Sequence, residues 1–363
     1  MTFRPTALVA FMFGALTLTQ ASAQAPVLKD AASADEKARV TALIDGALKE
    51  GSLSYWDTVI QPETNENLVK AFKARYGLPP SFRVNYTLAQ TGDLVTRLEQ
   101  EIGAGHVTVD IASIAAPVWT FERAAKGDFL EYHSPEYSHY KQIFDAGLGK
   151  DGFFAFNGGY VFVPMWNSES LDFKGKSYQD VIAAVPEGKL SMGDAANSTA
   201  FLATFMGQRT VLPPEFFTRL ASKNPVFLRR SEQLAAGPVT GEQLMTLSGM
   251  PTRAYQLNQK GAKLKFIFPD EGVLLLAQNT FIMAKAPHPD AAKLWIDFIL
   301  SETGQQILAE GEAMISGRSG FKNSIPDYSP SIDSLKLIKM NWAAITAQDM
   351  AKAKADWIAI FNP

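Results

Sequence analysis

Thr91 and Gly92 stand where the chain is suited to bind an anion. They follow a predicted strand at residues 82–86 and begin a predicted helix whose apolar residues recur at helical spacing. The first backbone N–H groups of a helix have no partner within it, and the helix dipole adds a partial positive charge there. The position therefore predicts an anion site. The alternative is that Thr91 only caps the helix.

A second segment repeats this arrangement. Asn197, Ser198 and Thr199 follow a predicted strand at residues 189–192 through a short polar turn, and they begin an apolar helix at residues 199–208. Two such loops that face each other would bind an anion between them, because each offers N–H groups and hydroxyls. Helix capping alone is again the alternative.

Asp57, Thr58 and Ser113 follow the ends of two further predicted strands. The predicted order up to this point is helix, strand, helix, strand, helix, strand, which favours an α/β domain with a largely parallel sheet. Ligands of such sheets bind beyond the carboxyl ends of the strands. We therefore expect Ser113 to line a site in which Asp57 and Thr58 bind a hydroxyl or ammonium group. A turn cap at Asp57 and Thr58 is the alternative.

The second half of the chain predicts another α/β set. Strands at residues 153–156 and 160–166 are joined by Asn157-Gly158-Gly159, which is typical of a tight turn. An amphipathic helix is predicted near the C-terminus, at about residues 342–360. Further strands are predicted at residues 189–192, 243–247, 264–268 and 280–284, and further helices at residues 177–184, 199–208, 251–260, 290–300 and 303–308.

Length and composition limit the classes of protein that remain. The chain has 363 residues, enough for two ordinary domains, and its 47% hydrophobic content with 24 Phe predicts a substantial core. A net charge of -3 gives no basic field for a nucleic-acid partner. The absence of Cys excludes disulfides, thiolate nucleophiles, Cys-ligated metals and a lipidated N-terminal Cys.

The N-terminus resembles a secretory signal peptide. Arg4 is the only charged residue before a short apolar segment at residues 7–18, and Ala21-Ser22-Ala23 fits the cleavage site. The apolar segment is too short for a comfortable membrane span, although an uncleaved anchor is the alternative. We therefore predict cleavage after residue 23 and, with no lipid anchor, a periplasmic protein.

The chain lacks the usual signatures of an enzyme. It has four histidines, His106, His133, His139 and His288, without an H-E-x-x-H helix or a G-x-S-x-G turn. We predict a protein that is not an enzyme and that uses no cofactor. A metal or acid–base role for His133 and His139, which share one loop with Tyr residues, is the alternative.

Seven pieces of the chain resemble a known family when their order and spacing are taken together. The family comprises the periplasmic substrate-binding proteins of ABC transporters, of the type-2 solute-binding kind that is also described as iron(III)-type or extracellular family 1. The pieces include EGSLSYWDT, TGDLVTRLEQEIGAG, VDIAS, GYVFVPMWN, KLSMGDAANS and SGRSG. They occupy residues 50–58, 91–105, 109–113, 159–167, 189–198, 269–308 and 316–320, so that the resemblance covers nearly the whole mature chain.

The resemblance implies two α/β lobes that are joined by two crossing strands and close on a ligand in the cleft between them. The first lobe would comprise residues 24–159 and 269–315, and the second residues 160–268 and 316–363. It also implies a monomer that delivers its ligand to the permease and ATPase complex of an ABC transporter in the inner membrane. A sensor protein that reports to a membrane receptor is the alternative.

The resemblance also suggests which ligand to expect. Iron-binding members use two adjacent Tyr residues in the second lobe, whereas Tyr255 stands alone in the corresponding stretch and no two Tyr are adjacent in this chain. Ferric iron needs several hard, anionic oxygen ligands. We therefore predict no metal site and expect a small organic anion, that is, a carboxylate, phosphonate or phosphate ester. Ferric iron is the alternative.

Five further residues complete the predicted ligand site. Arg253, in a predicted helix, would pair an anionic head group through two parallel hydrogen bonds, unless it only faces solvent. Trp56 would form an apolar wall, or else belong to the core. Glu271 would orient a cationic group or start a turn, and Arg318 is a second candidate cation. Tyr160 lies at a crossing strand, where the family combines hinge and ligand contacts.

Overall fold

The computed structural model describes residues 25–361, which form two five-stranded sheets with helices packed around them. The predicted signal peptide at residues 1–23 lies outside the described residues. Within residues 25–361, no helix combines the length and the apolar character needed to cross a membrane.

The described residues form ten β-strands and thirteen α-helices. The strands are β1 Ser52–Asp57, β2 Arg83–Leu88, β3 Ile111–Ile114, β4 Phe154–Tyr160, β5 Val163–Asn167, β6 Leu190–Gly193, β7 Val226–Leu228, β8 Met245–Gly249, β9 Leu264–Phe266 and β10 Leu276–Ile282. The helices are α1 Ala34–Glu50, α2 Pro62–Tyr76, α3 Thr91–Gly103, α4 Pro117–Ala125, α5 Lys141–Asp145, α6 Tyr178–Ala184, α7 Thr199–Val211, α8 Pro214–Ala221, α9 Ser231–Thr240, α10 Pro251–Asn258, α11 Pro289–Ile299, α12 Glu302–Glu312 and α13 Ala347–Phe361.

Each sheet is the centre of one lobe. The first has the strand order β2-β1-β3-β10-β4, and the second has the order β7-β6-β8-β5-β9. In both sheets three consecutive strands are parallel, as predicted, and β10 and β5 run antiparallel to both of their neighbours. Each of these two strands is the first that the chain forms after leaving the other sheet: β5 follows β4 of the first sheet, and β10 follows β9 of the second. The chain crosses between the lobes three times: between β4 and β5, between β9 and β10, and between α12, which packs in the first lobe, and α13, which packs in the second.

The first lobe is held together by aromatic residues between its sheet and helices α2 and α11. Trp295 on α11 is fully buried, and its ring centroid lies 5.1 Å from those of both Tyr55 and Phe72. Aromatic pairs at this separation stabilise a core beyond the area that they bury. α1 packs outside them, capped by the Ser33 hydroxyl at its start and ended by Gly51 in the left-handed conformation, at φ 70°.

The second lobe includes the C-terminal helix. α13 packs on α7 and α8, and its Trp357 is fully buried with its ring 4.9 Å from that of Phe227. The predicted helix at residues 342–360 is interrupted, because a short 3-10 helix at Trp342–Ala344 precedes α13. The residue limits that we predicted for the two lobes remain a prediction.

Two local predictions were wrong. Asn157-Gly158-Gly159 does not form a tight turn but continues strand β4, which accommodates a bulge against Gln278 and Asn279 of β10. Glycine is needed here for space rather than for turning, since a Cβ at Gly159 would lie 2.5 Å from the ring of Phe156. The strand predicted at residues 280–284 is β10, which begins earlier, at Leu276, and ends at Ile282.

Candidate functional site

A cavity of about 880 Å³ lies between the two lobes. Its volume falls within the range of about 300–1,000 Å³ that is usual for small-molecule sites. The first lobe contributes the end of β1 and the start of α3, and the second lobe contributes the starts of α7, α9 and α10. Aromatic side chains line part of the wall, with the rings of Phe162 and Phe201 4.5 Å apart. The cavity thus offers both apolar and polar contacts to a ligand.

Four helices begin at this cavity. Thr91 and Gly92 of α3, Thr199 of α7, Ser231 of α9 and Arg253 of α10 are all lining residues in the first turns of their helices. The N–H groups of a first turn have no partner within the helix, and four helix dipoles add positive potential at one place. This arrangement favours an anion.

The charged side chains that line the cavity also favour an anion, because cationic side chains outnumber acidic ones. Its lining includes the cationic Arg229, Arg230, Arg253 and Lys354, against the acidic Asp93 and Glu232. Arg229 is 70% exposed and only distantly paired with Asp194, at 3.4 Å, whereas the Arg253 side chain is 9% exposed. Arg253 is the one buried cation among these four, and its charge is therefore the least screened by water.

Arg253 is held in place by three neighbours. Its Nε donates to the Ser231 hydroxyl at 3.1 Å and its Nη1 to the Gln256 side-chain oxygen at 2.8 Å. Its Nη2 lies 2.8 Å from a carboxylate oxygen of Glu232, which is 55% exposed. A guanidinium has five N–H groups, so these contacts leave donors for a ligand.

Eight of the thirteen predicted site residues line the cavity, namely Thr58, Thr91, Gly92, Tyr160, Asn197, Ser198, Thr199 and Arg253. The alternative for Thr91, that it only caps α3, was wrong, because Gln90 occupies the N-cap and Thr91 is the first helical residue. Ser198 does cap α7, accepting from the Phe201 N–H at 3.4 Å. Asn197 donates to Asp194 at 2.8 Å within its own loop.

Three predicted residues lie in the first sheet, outside the cavity lining. Asp57 is fully buried and closes the turn after β1, where its carboxylate accepts from Tyr55 and from the N–H groups of Val59 and Ile60. Burial raises the pKa of Asp57, although these hydrogen bonds oppose the increase. Ser113 bonds Tyr55 at 3.0 Å within the sheet. Trp56 is 4% exposed and packs in the core.

The remaining two predicted residues lie elsewhere. The Glu271 carboxylate accepts from the N–H of Tyr178 at 3.1 Å, which places it at the start of α6. Arg318 pairs with Glu136, donates to the Leu300 carbonyl and lines a second, smaller cavity of about 250 Å³. Neither residue lines the cavity between the lobes.

Several lining residues were not predicted from the sequence, among them Gln90, Asp93, Phe162, Phe201, Phe227, Arg229, Arg230, Ser231, Glu232, Gln233, Met250 and Lys354. Arg229 to Gln233 follow the three-residue strand β7 and begin α9, the same strand-to-helix pattern that marked Thr91. That signal was present, but the strand was too short to predict. Lys354 reaches the cavity from α13 and carries no local signal.

The histidines do not line this cavity. His288 lies between Ser52, at 3.1 Å, and Asp110, at 2.9 Å, in the order of a nucleophile, base and orienting carboxylate. Asp110 also accepts from the N–H groups of Ser54 and His288, so the cluster joins β1 to the start of α11.

His133 is exposed beside Glu131 and Asp151. Within residues 25–361, no group of three or more His, Asp or Glu is arranged to hold a metal ion.

Two α/β lobes with a ligand-sized cavity between them are the architecture of a two-lobed binding protein, and solved structures of such proteins have the same fold. The fold matches a substrate-binding protein of an ABC transporter from Agrobacterium tumefaciens, with a TM-score of 0.72 and 11% identity over 85% of this chain and 94% of that one. It also matches AfuA from Actinobacillus pleuropneumoniae with fructose-6-phosphate bound, with a TM-score of 0.70 and 17% identity over 86% and 98%. For iron-bound HitA from Pseudomonas aeruginosa the TM-score is 0.65, with 16% identity over 86% and 98%.

The family follows from the sequence match. Residues 67–338 match the model of the bacterial extracellular solute-binding proteins, and the chain belongs to that family. No curated protein sequence shows a significant match to the chain. The resemblance to substrate-binding proteins of ABC transporters is confirmed, as is the two-lobed fold, and the family and fold are those of binding proteins rather than enzymes.

Proposed function

We propose that this protein captures a small organic anion in the cavity between its lobes and delivers it to an ABC permease. The ligand would be a carboxylate, phosphonate or phosphate ester. The observation that carries the proposal is the convergence of four helix starts and the buried Arg253 on one cavity. In this proposal the leader is cleaved after residue 23 and the protein acts in the periplasm as a monomer.

The contacts proposed for the ligand follow from the lining. The guanidinium of Arg253 would bind the anionic head group, assisted by the N–H groups of Thr91, Gly92 and Thr199. The hydroxyls of Thr58 and Tyr160 and the rings of Phe162 and Phe201 would contact the rest of the molecule. A ligand with one anionic end and a partly apolar or hydroxylated body fits this distribution.

Ferric iron is less well matched to the same residues. The acidic side chains of the lining are Asp93 and Glu232, and Glu232 is already paired with Arg253. Burial raises the pKa of Tyr160, which disfavours the phenolate that would bind a hard cation. Four cationic side chains would also repel the metal.

A thermal-shift screen of the mature protein tests the proposal. The panel would contain organic acids, phosphonates, sugar phosphates including fructose 6-phosphate, polyamines and ferric citrate. A ligand at a hundred times its dissociation constant adds about 2.7 kcal/mol to the free energy of unfolding, which is a readily detected shift. Stabilisation by an organic anion supports the proposal, whereas stabilisation by ferric citrate but not by citrate alone would contradict it.

Gly92→Ala separates ligand binding from folding. An added Cβ at Gly92 meets no atom within 4 Å, so alanine should fit and should stabilise α3 by up to about 1 kcal/mol. If the ligand lies against this helix start, the methyl group will occupy its space and weaken binding several-fold. Calorimetric titration with the best anion from the screen measures the loss.

Gly103→Ala is the matched control for this change. Gly103 lies at the other end of α3, is exposed and also has open space for a Cβ. The control should bind as the wild type does. Equal affinities for all three proteins would show that the ligand does not contact the start of α3.

A further inference from the structure

A chain of hydrogen bonds connects the cavity to the first lobe. The Nη1 of Arg253 donates to the Gln256 side-chain oxygen at 2.8 Å, and the Gln256 side-chain nitrogen donates to Glu312 at 3.2 Å. The other carboxylate oxygen of Glu312 accepts from the backbone N–H of Gln61 at 2.6 Å. Arg253 and Gln256 lie on α10 of the second lobe, whereas Glu312 ends α12 of the first. The connection therefore crosses between the lobes.

The carboxylate of Glu312 has unusual surroundings. It is fully buried, and its two oxygens accept from an uncharged backbone amide and an uncharged side-chain amide, with the Thr64 hydroxyl close by. The ionisable groups that act on it from the surrounding elements are Arg253 from α10, Asp57 from β1 and Tyr86 from β2.

These surroundings decide how readily Glu312 holds a proton. Burial raises the pKa of Glu312 to about 7, Asp57 adds to the increase and Arg253 opposes it. The carboxyl group therefore changes its charge near neutral pH.

We propose that Glu312 couples the binding of an anion in the cavity to the uptake of a proton. This inference rests on the proposed function, in which the anion pairs with Arg253. A bound anion offsets the positive charge of Arg253, which otherwise favours the ionised form of Glu312. The carboxylate and the anion also repel each other directly. By linkage, binding then favours protonated Glu312, and protonated Glu312 favours binding.

The coupling sets the direction of the pH dependence. Wild-type affinity for an anion of constant charge should fall about sixfold between pH 6 and pH 8, because one charge about 10 Å away in a medium of dielectric constant about 20 changes the affinity about sixteenfold and Glu312 completes only part of its titration in this interval. Gln256 is the positioning residue of this pathway. A guanidinium only donates hydrogen bonds, so the side-chain oxygen of Gln256 must accept from Arg253. The amide nitrogen of Gln256 is then left to donate to Glu312.

Calorimetric titration of wild type and Glu312→Gln at pH 6, 7 and 8 tests the inference. The probes would be sulfate and the strongest carboxylate from the screen, chosen with pKa values below 5 so that their charge does not change. Glutamine mimics the protonated acid, so Glu312→Gln should bind at every pH as the wild type does at pH 6. Glu310→Gln is the control, because Glu310 is an exposed carboxylate on the same helix, and it should keep the wild-type profile.

The outcomes are distinguishable. Wild-type binding with equal affinity at pH 6 and pH 8 overturns this inference alone. Weaker binding by Glu312→Gln at every pH also overturns it, because the carboxylate would then serve only to hold Gln256 and Arg253. If neither probe and no other organic anion of the screen binds the wild type at any pH, the proposed function fails and the inference falls with it.

A measurement without ligand tests the titration of Glu312 separately. Between the ordinary glutamate pKa and about 7, the folded protein holds a proton on Glu312 that the unfolded chain does not. The free energy of unfolding should therefore fall as the pH rises through this interval, and the fall should be smaller in Glu312→Gln. Identical pH profiles of urea unfolding for the two proteins would overturn the inference.

Discussion

Arg253→Ala is expected to weaken binding of the anionic ligand by about thirty- to a thousandfold. The change removes the most buried cation of the cavity, and a charge-assisted pair of this kind contributes about 2–4 kcal/mol to binding. The empty protein should melt nearly as the wild type does, since the Glu232 carboxylate that loses its partner is 55% exposed and remains solvated. Calorimetric titration and thermal melting measure the two effects.

Arg209→Ala is the matched control for Arg253→Ala. Arg209 is an ion-paired arginine of the same lobe, bound to Asp356 at 2.7 Å, and it does not line the cavity. Its removal should leave the affinity unchanged. If both variants bind as the wild type does, Arg253 does not hold the anion, and the site must use Arg229, Arg230 or Lys354 instead.

Trp357→Ala is expected to lower the free energy of unfolding by about 3–5 kcal/mol. Trp357 is fully buried and packs against Phe227 and Phe361, so its loss leaves a large cavity under α13. Urea unfolding followed by circular dichroism measures the change in midpoint. Because Lys354 reaches the cavity from the same helix, detachment of α13 should also weaken anion binding.

Ile358→Ala is the control for the loss of Trp357. Ile358 is the next residue of α13 and is 41% exposed, so its truncation should cost less than about 0.5 kcal/mol. A Trp357→Ala protein as stable as Ile358→Ala would mean that α13 is not an integral part of the second lobe.

The regular pattern of the chain predicted most of the architecture. The alternation of helices and parallel strands, the α3 helix and the repeated strand-to-helix loops at Thr91 and Ser198 follow from local periodicity, with capping chemistry added at Ser198. The errors came where tertiary packing overrode a local preference. Asn157-Gly158-Gly159 has turn chemistry, but the sheet needs its small residues for close packing within β4.

Only part of the candidate site could be predicted from the sequence. Strand ends and helix starts in an α/β fold point to a common edge, so Thr58, Thr91 and Thr199 were accessible to sequence reasoning. Asp57 and Glu271 have the same polar chemistry, but the structure uses them to satisfy buried backbone N–H groups. Residue type alone does not distinguish these two uses.

The amino-acid sequence by itself determined the class of this protein: a two-lobed α/β chain of the solute-binding family with helix starts suited to an anion. Only the tertiary structure decided which cations share the cavity and what holds them. Lys354 comes from the C-terminal helix, and the contact of Gln256 with Glu312 joins residues of different lobes. Local periodicity reports how a segment folds, whereas the partner of a buried charge is set by which distant segments meet.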